Sequence, residues 1–96
     1  MGKLENKVCI ITGASSGIGR EIANSFSREG AKLILAARRL DKLDGLANEL
    51  KKGNETTVVQ TDVSNEKDIT NLFEITKQKY NQLDIVVNNA GIFDGG

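Results

Sequence analysis

Short apolar runs alternate with helical patterns along this chain. Four runs with little polar interruption predict β-strands at residues 7–12, 32–37, 56–60 and 83–88. Between them, apolar residues recur at intervals of three and four, which is the spacing of one helix face. This spacing predicts helices at about residues 16–29, from residue 41 to the Gly53-Asn54 stop, and from about residue 65 to residue 80.

Each predicted helix has a face that we expect to be buried. The expected faces are Ile18, Ile22 and Phe26 in the first helix, Leu43, Leu46, Ala47 and Leu50 in the second, and Ile69, Leu72, Phe73, Thr76 and Tyr80 in the third. Asp41 is expected to cap the second helix, and either Ser64 or Asn65 the third, because short polar side chains accept hydrogen bonds from free helix N–H groups.

The order of elements, strand and helix three times and then a strand, is typical of the α/β class. Nearly continuous apolar strands indicate a parallel sheet that is covered on both faces. We therefore predict a Rossmann-like, doubly wound parallel sheet of four strands in the order 3-2-1-4, with three helices, incomplete as a domain. A ligand is expected at the carboxyl ends of strands one and four.

Composition excludes several classes of partner. The 96 residues carry 13 basic and 13 acidic side chains, so there is no electrostatic case for nucleic acid or an anionic membrane. No apolar run approaches the length of a membrane span. The single cysteine, Cys9, lies in an apolar run and is expected to be buried. No histidine is present, no metal site is predicted, and we expect a cytoplasmic protein.

A glycine-rich turn joins the first predicted strand to the first predicted helix. Residues 12–19 read Thr-Gly-Ala-Ser-Ser-Gly-Ile-Gly. Glycines here can adopt positive φ and leave no Cβ in the way of an anion, and the positive end of the next helix faces the same space. Three glycines can also form a simple turn. We interpret the segment as a phosphate-binding loop with the candidate residues Gly13, Ser15, Ser16, Gly17, Ile18 and Gly19, the last allowing the helix to pack closely against the strand.

No carboxylate ends the second predicted strand, which finishes in Ala36-Ala37-Arg38-Arg39. A site selective for NAD needs an acid about 20 residues after the loop to bind the ribose hydroxyls. The guanidinium of Arg38 instead suits the 2′-phosphate of NADP. The alternative is that both arginines are solvated residues at a strand end.

The fourth predicted strand ends in Asn88-Asn89-Ala90-Gly91. Asparagine amides at this position can bond neighbouring strands and a ribose, and Ala90-Gly91 allows the backbone to approach a cofactor. In isolation the same four residues are typical of a turn. At the carboxyl end of the strand expected beside strand one, we take Asn89, Ala90 and Gly91 as candidate cofactor-binding residues.

Three segments together resemble one enzyme family. The loop at residues 12–19, the pair Asp62-Val63 and residues 88–91 have the order and spacing of the N-terminal half of an NADP-dependent short-chain dehydrogenase/reductase. The sequence as a whole is similar to those of 3-oxoacyl-carrier-protein reductases and related members. The resemblance implies that residues 1–96 are the cofactor-binding half of one Rossmann domain. It also implies that Asp62 bonds the adenine amino group, with Val63 along the ring; otherwise Asp62 reads as a turn residue that caps the next helix.

The resemblance further implies an activity for the whole protein. Members of the family transfer a hydride between NADP(H) and a carbonyl or alcohol substrate, and a homo-oligomer is expected. Their catalytic Ser and Tyr-x-x-x-Lys follow the Asn-Asn-Ala-Gly segment, whereas Asp84 stands four residues after Tyr80. No catalytic residue is therefore assigned, Tyr80 is expected to pack, and residues 1–96 alone are expected to catalyse no turnover. The alternatives are a non-catalytic nucleotide-binding module or an inactive truncated fragment.

Overall fold

Strands and helices alternate in the order that the apolar pattern predicts. The structure is a computed structural model that describes residues 2–14, 17–50 and 55–89. Its elements are β1 (Val8–Thr12), α1 (Gly17–Arg28), β2 (Lys32–Ala37), α2 (Leu40–Leu50), β3 (Thr56–Gln60), α3 (Glu66–Tyr80) and β4 (Ile85–Asn88). The Gly53-Asn54 stop predicted for the second helix lies outside the described residues.

The four strands form one parallel sheet in the order β3-β2-β1-β4, which confirms the predicted topology. All five residues of β1 are buried, as expected for a central strand with layers on both faces. Thr12, the last residue of β1, lies opposite Ala36 of β2 and Asn88 of β4. This register brings the carboxyl ends of three strands to the same edge of the sheet.

Two apolar cores lie on opposite faces of the sheet, because alternate strand residues point to opposite sides. Cys9, Ile11, Leu33 and Leu35 pack on the face that α1 and α2 cover, and their helical neighbours there include Ala23, Leu43, Leu46 and Leu50. Val8, Ile10, Ile34 and Ala36 pack on the other face with Leu72 of α3. Helices on both faces make the sheet doubly wound, and the burial predicted for Cys9 and for the α2 face is confirmed.

The predicted buried face of α1 is wrong at its first position, since Ile18 is 68% exposed. The helix packs through Gly19 and Ala23, with Ile22 and Phe26 half-buried beside them. The first turn of α1 lies next to residues that follow the strands, so the sheet does not extend far enough to cover Ile18.

The predicted face of α3 also needs correction. Leu72 and Thr76 are buried as expected, but Phe73 is 40% exposed, and Ile75 packs on the core instead. Phe73 is about 100° around the helix from Leu72. That rotation turns it toward the β4 side, where no described element lies beyond the strand.

The starts of α2 and α3 differ in how far they match the predicted caps. α2 starts at Leu40, so Asp41 lies within the first turn, where it pairs with Arg39 at 3.2 Å, and is not the cap. For α3 the cap is Asn65 and not Ser64. The Asn65 side chain accepts hydrogen bonds from the backbone N–H groups of Lys67 and Asp68. These bonds satisfy donors that no helical carbonyl reaches.

Candidate functional site

Thr12 ties β1 to the segment that follows β4. Its buried hydroxyl lies 3.1 Å from Asn88 Oδ1, to which it can donate, and it accepts the backbone N–H of Asn89 at 3.0 Å. The Asn89 side chain in turn donates to the Gly13 carbonyl at 3.2 Å. The asparagine amides therefore bond the neighbouring strand end, as their position suggested.

The glycines of the loop differ in what surrounds them. Gly13 has φ +64°, in the left-handed region that favours glycine. Gly17 does not use this freedom, because it begins α1 with a helical φ, and a Cβ there would meet no atom of the other described residues within 4 Å, its chain neighbours aside. At Gly19 a Cβ would lie 2.3 Å from the Gly13 carbonyl oxygen and 2.8 Å from Asn89 Nδ2. The close approach expected at Gly19 is present, but it is to the loop and to Asn89.

Four of the predicted site residues, Ser15, Ser16, Ala90 and Gly91, lie outside the described residues. Among the described ones, Gly13, Gly19 and Asn89 contact one another at the carboxyl ends of β1 and β4, and Gly17 and the exposed Ile18 lie in the first turn of α1. Open space beside Gly17, at the positive end of a 12-residue helix, suits an anionic group.

A second, polar part of the edge follows β2 and β3. Arg38, Gln60, Asp62 and Asp68 line an open cavity of about 310 Å³. The Gln60 side chain donates to the Arg38 carbonyl at 3.1 Å, which joins the ends of the two strands. The Arg38 side chain is exposed and, among the described residues, its guanidinium makes no hydrogen bond or ion pair.

Asp62 is held in a tight turn. Its Oδ1 accepts the Ser64 hydroxyl at 2.6 Å and the Ser64 backbone N–H at 3.0 Å. These two bonds lower the pKa of the Asp62 carboxyl below its usual value, with a smaller contribution from the positive charge of Arg38. The carboxylate is therefore ionised and can only accept hydrogen bonds. Asp62 does not cap α3, since Asn65 does.

An apolar cavity of about 270 Å³ continues the edge on the α3 side of the sheet. Its lining residues include Val63, Phe73, Val86 and Asn88. The structure thus places every described candidate at the carboxyl edge, in two groups: the glycine loop with Asn89, and the strand-end group of Arg38, Asp62 and Val63.

Two reactive residue types lie away from this edge. Tyr80 packs at the far end of α3, where its ring lies under the Lys32 ammonium group at the start of β2. Cys9 is fully buried, and burial, with the nearby Asp84 carboxylate, raises the pKa of its thiol to about 11. Both have the packing roles that the sequence predicts for them.

Three residues of the edge were not recognised from the sequence. The Thr12 hydroxyl, Gln60 and Asp68 all make hydrogen bonds between segments that are distant in the chain or separated by a turn. A polar residue at the buried end of an apolar strand is a usable signal for Thr12. For Asp68 the sequence indicates only an acidic residue in the first turn of a helix, and for Gln60 it indicates no role.

The comparison with protein families decides the affiliation. The model of the short chain dehydrogenase family matches residues 7–96. The chain belongs to this family. It is 45% identical to an uncharacterized oxidoreductase of Staphylococcus aureus strain N315, over 95% of this chain and 39% of the relative. The chain therefore spans about two fifths of the length of the curated relatives that it matches, and it corresponds to the N-terminal part of a family member.

Solved structures of family members have the same fold. L-sorbose reductase from Gluconobacter frateurii, in complex with NADPH and L-sorbose, is 40% identical with a TM-score of 0.88, over 92% of this chain and 34% of that one. A short chain dehydrogenase/reductase from Burkholderia phymatum, in complex with NAD, is 32% identical with a TM-score of 0.84, over 90% and 31%. Nicotinamide dinucleotides of both kinds thus bind to similar proteins.

The described residues contain neither a candidate membrane-spanning helix nor a candidate metal-binding group. None of the described helices combines the length and apolarity that crossing a lipid bilayer requires. In the same part of the chain, no three potential ligands among histidine, cysteine, aspartate and glutamate come together around a metal position.

Proposed function

We propose that the whole polypeptide carrying this chain is an oxidoreductase that transfers a hydride between NADP(H) and a carbonyl or alcohol substrate. In this proposal the chain supplies the first half of the cofactor site. NADP(H), when bound, supplies or accepts the hydride. The residues described here bind and orient it; the substrate and the proton donor would be held by residues outside this chain.

The observation that carries the choice of NADP is the environment of Arg38. Its exposed guanidinium lies at the end of β2 with no partner among the described residues, and Ala37 stands where an NAD-selective site would have an acid. A guanidinium can bind a phosphate through two parallel hydrogen bonds. The bond from Gln60 to the Arg38 carbonyl supports this role because it holds the backbone that carries the arginine.

The glycine loop supports binding of the pyrophosphate. No atom of another described residue lies within 4 Å of the Cβ position of Gly17 at the start of α1, its chain neighbours aside, and backbone N–H groups at a helix N-terminus attract anions. Thr12 and Asn89 hold the loop against the end of β4, where a ribose would lie. We further propose that the free side of Asp62 and the Val63 backbone bind the adenine, and that Ser15, Ser16, Ala90 and Gly91 complete the site.

The test replaces Arg38 and its neighbour separately in the whole polypeptide. Arg38→Ala should weaken NADPH binding by about 10- to 100-fold and NADH binding by less than about threefold, because a charged hydrogen bond contributes about 1.5–3 kcal/mol. Arg39→Ala removes the same charge from a residue that pairs with Asp41, and should change neither affinity more than about twofold. Nicotinamide fluorescence on titration measures both constants.

Two outcomes would contradict the proposal. Equal losses in Arg38→Ala and Arg39→Ala would mean that only long-range charge matters, and the NADP assignment would be wrong. If the whole polypeptide binds NADPH but does not oxidise it when any carbonyl compound is supplied, a nucleotide-binding module without catalysis would be favoured.

A further inference from the structure

Among the residues that the structure describes, hydrogen bonds reach only one oxygen of the Asp62 carboxylate. Oδ1 accepts both the hydroxyl and the backbone N–H of Ser64. Within residues 2–14, 17–50 and 55–89, Oδ2 accepts no hydrogen bond. The side chain is thus fixed through one oxygen, and Asp62 lines, together with Arg38, the cavity at the carboxyl edge.

The backbone of Asp62 is fixed as well. Its carbonyl accepts the N–H of Asn65 at 2.9 Å, and its N–H donates to Asp68 Oδ2 at 2.9 Å. Asp68 stands three residues after the helix cap, the position from which an acid commonly bonds the N–H of the capping residue itself. Here it reaches past Asn65 and holds Asp62 instead. The bond therefore does nothing for the end of α3 and immobilises the residue before it.

We propose that Ser64 and Asp68 are positioning residues that hold Asp62 in place to accept a hydrogen bond from the 6-amino group of an adenine. This inference rests on the proposed function, because it assumes that a nicotinamide dinucleotide binds at this edge. Ser64 orients the side chain and Asp68 the backbone. A carboxylate that is already immobilised loses little conformational freedom when the ligand binds.

The proposal predicts selectivity for the base. An ionised carboxylate offers acceptors only, and the adenine amino group offers donors. Hypoxanthine carries a carbonyl oxygen in place of that amino group, so two acceptors would face each other. A site built to bond a donor rejects a ligand that lacks it. We expect the whole polypeptide to bind NADPH about 10- to 100-fold more tightly than its hypoxanthine analogue, deamino-NADPH.

The test measures the ratio of the dissociation constants for deamino-NADPH and NADPH in five proteins: the whole polypeptide and its Asp68→Ala, Asp68→Asn, Ser64→Ala and Glu66→Ala variants. Asp68→Ala and Ser64→Ala should reduce the ratio to about threefold or less. Asp68→Asn should restore most of it, since an amide oxygen can still accept the Asp62 N–H. Glu66→Ala removes a charge from the same helical turn, with no bond to Asp62 among the described residues, and should leave the ratio unchanged.

The ratio separates positioning from general damage. A variant that is merely less stable, or that changes the field around Arg38, affects both ligands equally because both carry the 2′-phosphate. If Asp68→Ala fails to fold, Ser64→Ala decides, since it leaves the backbone bonds of Asp62 in place. A ratio near one in the unmodified polypeptide, or an unchanged ratio in Ser64→Ala and Asp68→Ala, would overturn this inference while NADPH still binds. Failure to bind any nicotinamide dinucleotide would refute the proposed function itself.

Discussion

Gly19 is the residue on which the packing of the loop depends most directly. The space that a side chain would need is taken by the Gly13 carbonyl and the Asn89 amide, and these two groups are hydrogen-bonded to each other. Neither can move without breaking that bond or shifting the backbone after β1. Around Gly17, two residues earlier, no atom of the described residues other than its chain neighbours lies within 4 Å of a Cβ.

The contrast between these glycines leads to a prediction. Gly19→Ala should lower the stability of the whole polypeptide by about 1–3 kcal/mol, because an atom is forced into a packed position. Gly17→Ala should keep or slightly raise the melting temperature, yet weaken NADPH binding about tenfold or more, since its methyl group enters the space proposed for phosphate. Thermal unfolding followed by circular dichroism and NADPH titration separate the two effects.

Gly45→Ala is the matched control, because Gly45 lies within α2 and, outside its own helix backbone and chain neighbours, a Cβ there also meets no described atom within 4 Å. It should stabilise the polypeptide by about 0.5–1 kcal/mol and leave NADPH affinity unchanged. A Gly19→Ala protein with the melting temperature of the unmodified polypeptide would show that the loop can yield, and the packing argument would be wrong.

Among the elements, the pairing of β1 with β4 determines where Asn88 and Asn89 lie relative to Thr12. Asp84 anchors this pairing at the amino end of the strands. Its Oδ2 accepts the Val8 N–H at 2.8 Å and the Gln82 side chain at 2.7 Å. The Asp84 N–H donates to the Val8 carbonyl at 2.9 Å. Because β4 starts in register with β1, its last residues also lie in register with the end of β1.

The Asp84 anchor predicts a dependence on pH. The bond from Val8, and then that from Gln82, lowers the pKa of the Asp84 carboxyl in the folded chain. Its contribution to stability is therefore present above the unfolded pKa of about 4 and is lost as the pH falls through the lower folded pKa. Asp84→Asn should melt a few degrees lower at pH 7, and the difference should shrink as the pH falls through the folded pKa of Asp84.

Glu74→Gln is the control for Asp84→Asn. It removes one negative charge from an exposed residue of α3 whose side chain makes no hydrogen bond to other described residues. Its melting temperature should follow that of the unmodified polypeptide across the same pH series. A constant difference between Asp84→Asn and the unmodified polypeptide from pH 7 to pH 3 would refute the charged anchor.

For the molecule as a whole, the side of the sheet beside β4 carries an exposed apolar surface. Phe73, Leu83 and Val86 are 40%, 37% and 47% exposed, and β4 forms an edge of the described sheet. A parallel strand is normally covered on both faces, and an open edge can pair with another chain. In relatives more than twice as long, further polypeptide is available to cover such a surface.

We expect the isolated segment 1–96 to self-associate through this surface. The double variant Phe73→Ser and Val86→Thr should shift sedimentation of the segment toward the monomer. Ile18→Ser removes a still more exposed apolar side chain, 68% accessible, from the first turn of α1, which packs on the other face of the sheet from α3, and should have no such effect. If Ile18→Ser restores the monomer equally well, general hydrophobicity and not the β4 side causes the association.

The order of strands and helices could be predicted because it depends on short-range pattern. Apolar runs of strand length separated by helical spacing leave few ways to bury every face, and a doubly wound sheet is one of them. The position of Gly13, Arg38 and Asn89 at the carboxyl edge could be predicted because each directly follows a strand, and that of Asp62 because it comes two residues after β3; parallel strands bring their carboxyl ends to one edge. The same local signals located the caps and core positions of α2 and α3 to within a residue, except at Asp41 and Phe73.

Which residues of that edge contact one another is decided by the tertiary structure. The packing of separately formed segments decides three features of the edge: Ile18 is exposed, Gly19 packs on Asn89, and Asp68 holds Asp62. Periodicity reports which side of a helix is apolar, but it does not report how far the sheet beneath that helix extends. Hydrogen bonds such as that from Asn89 to Gly13 join residues more than 70 positions apart, and only packing of the strands in register brings them within reach.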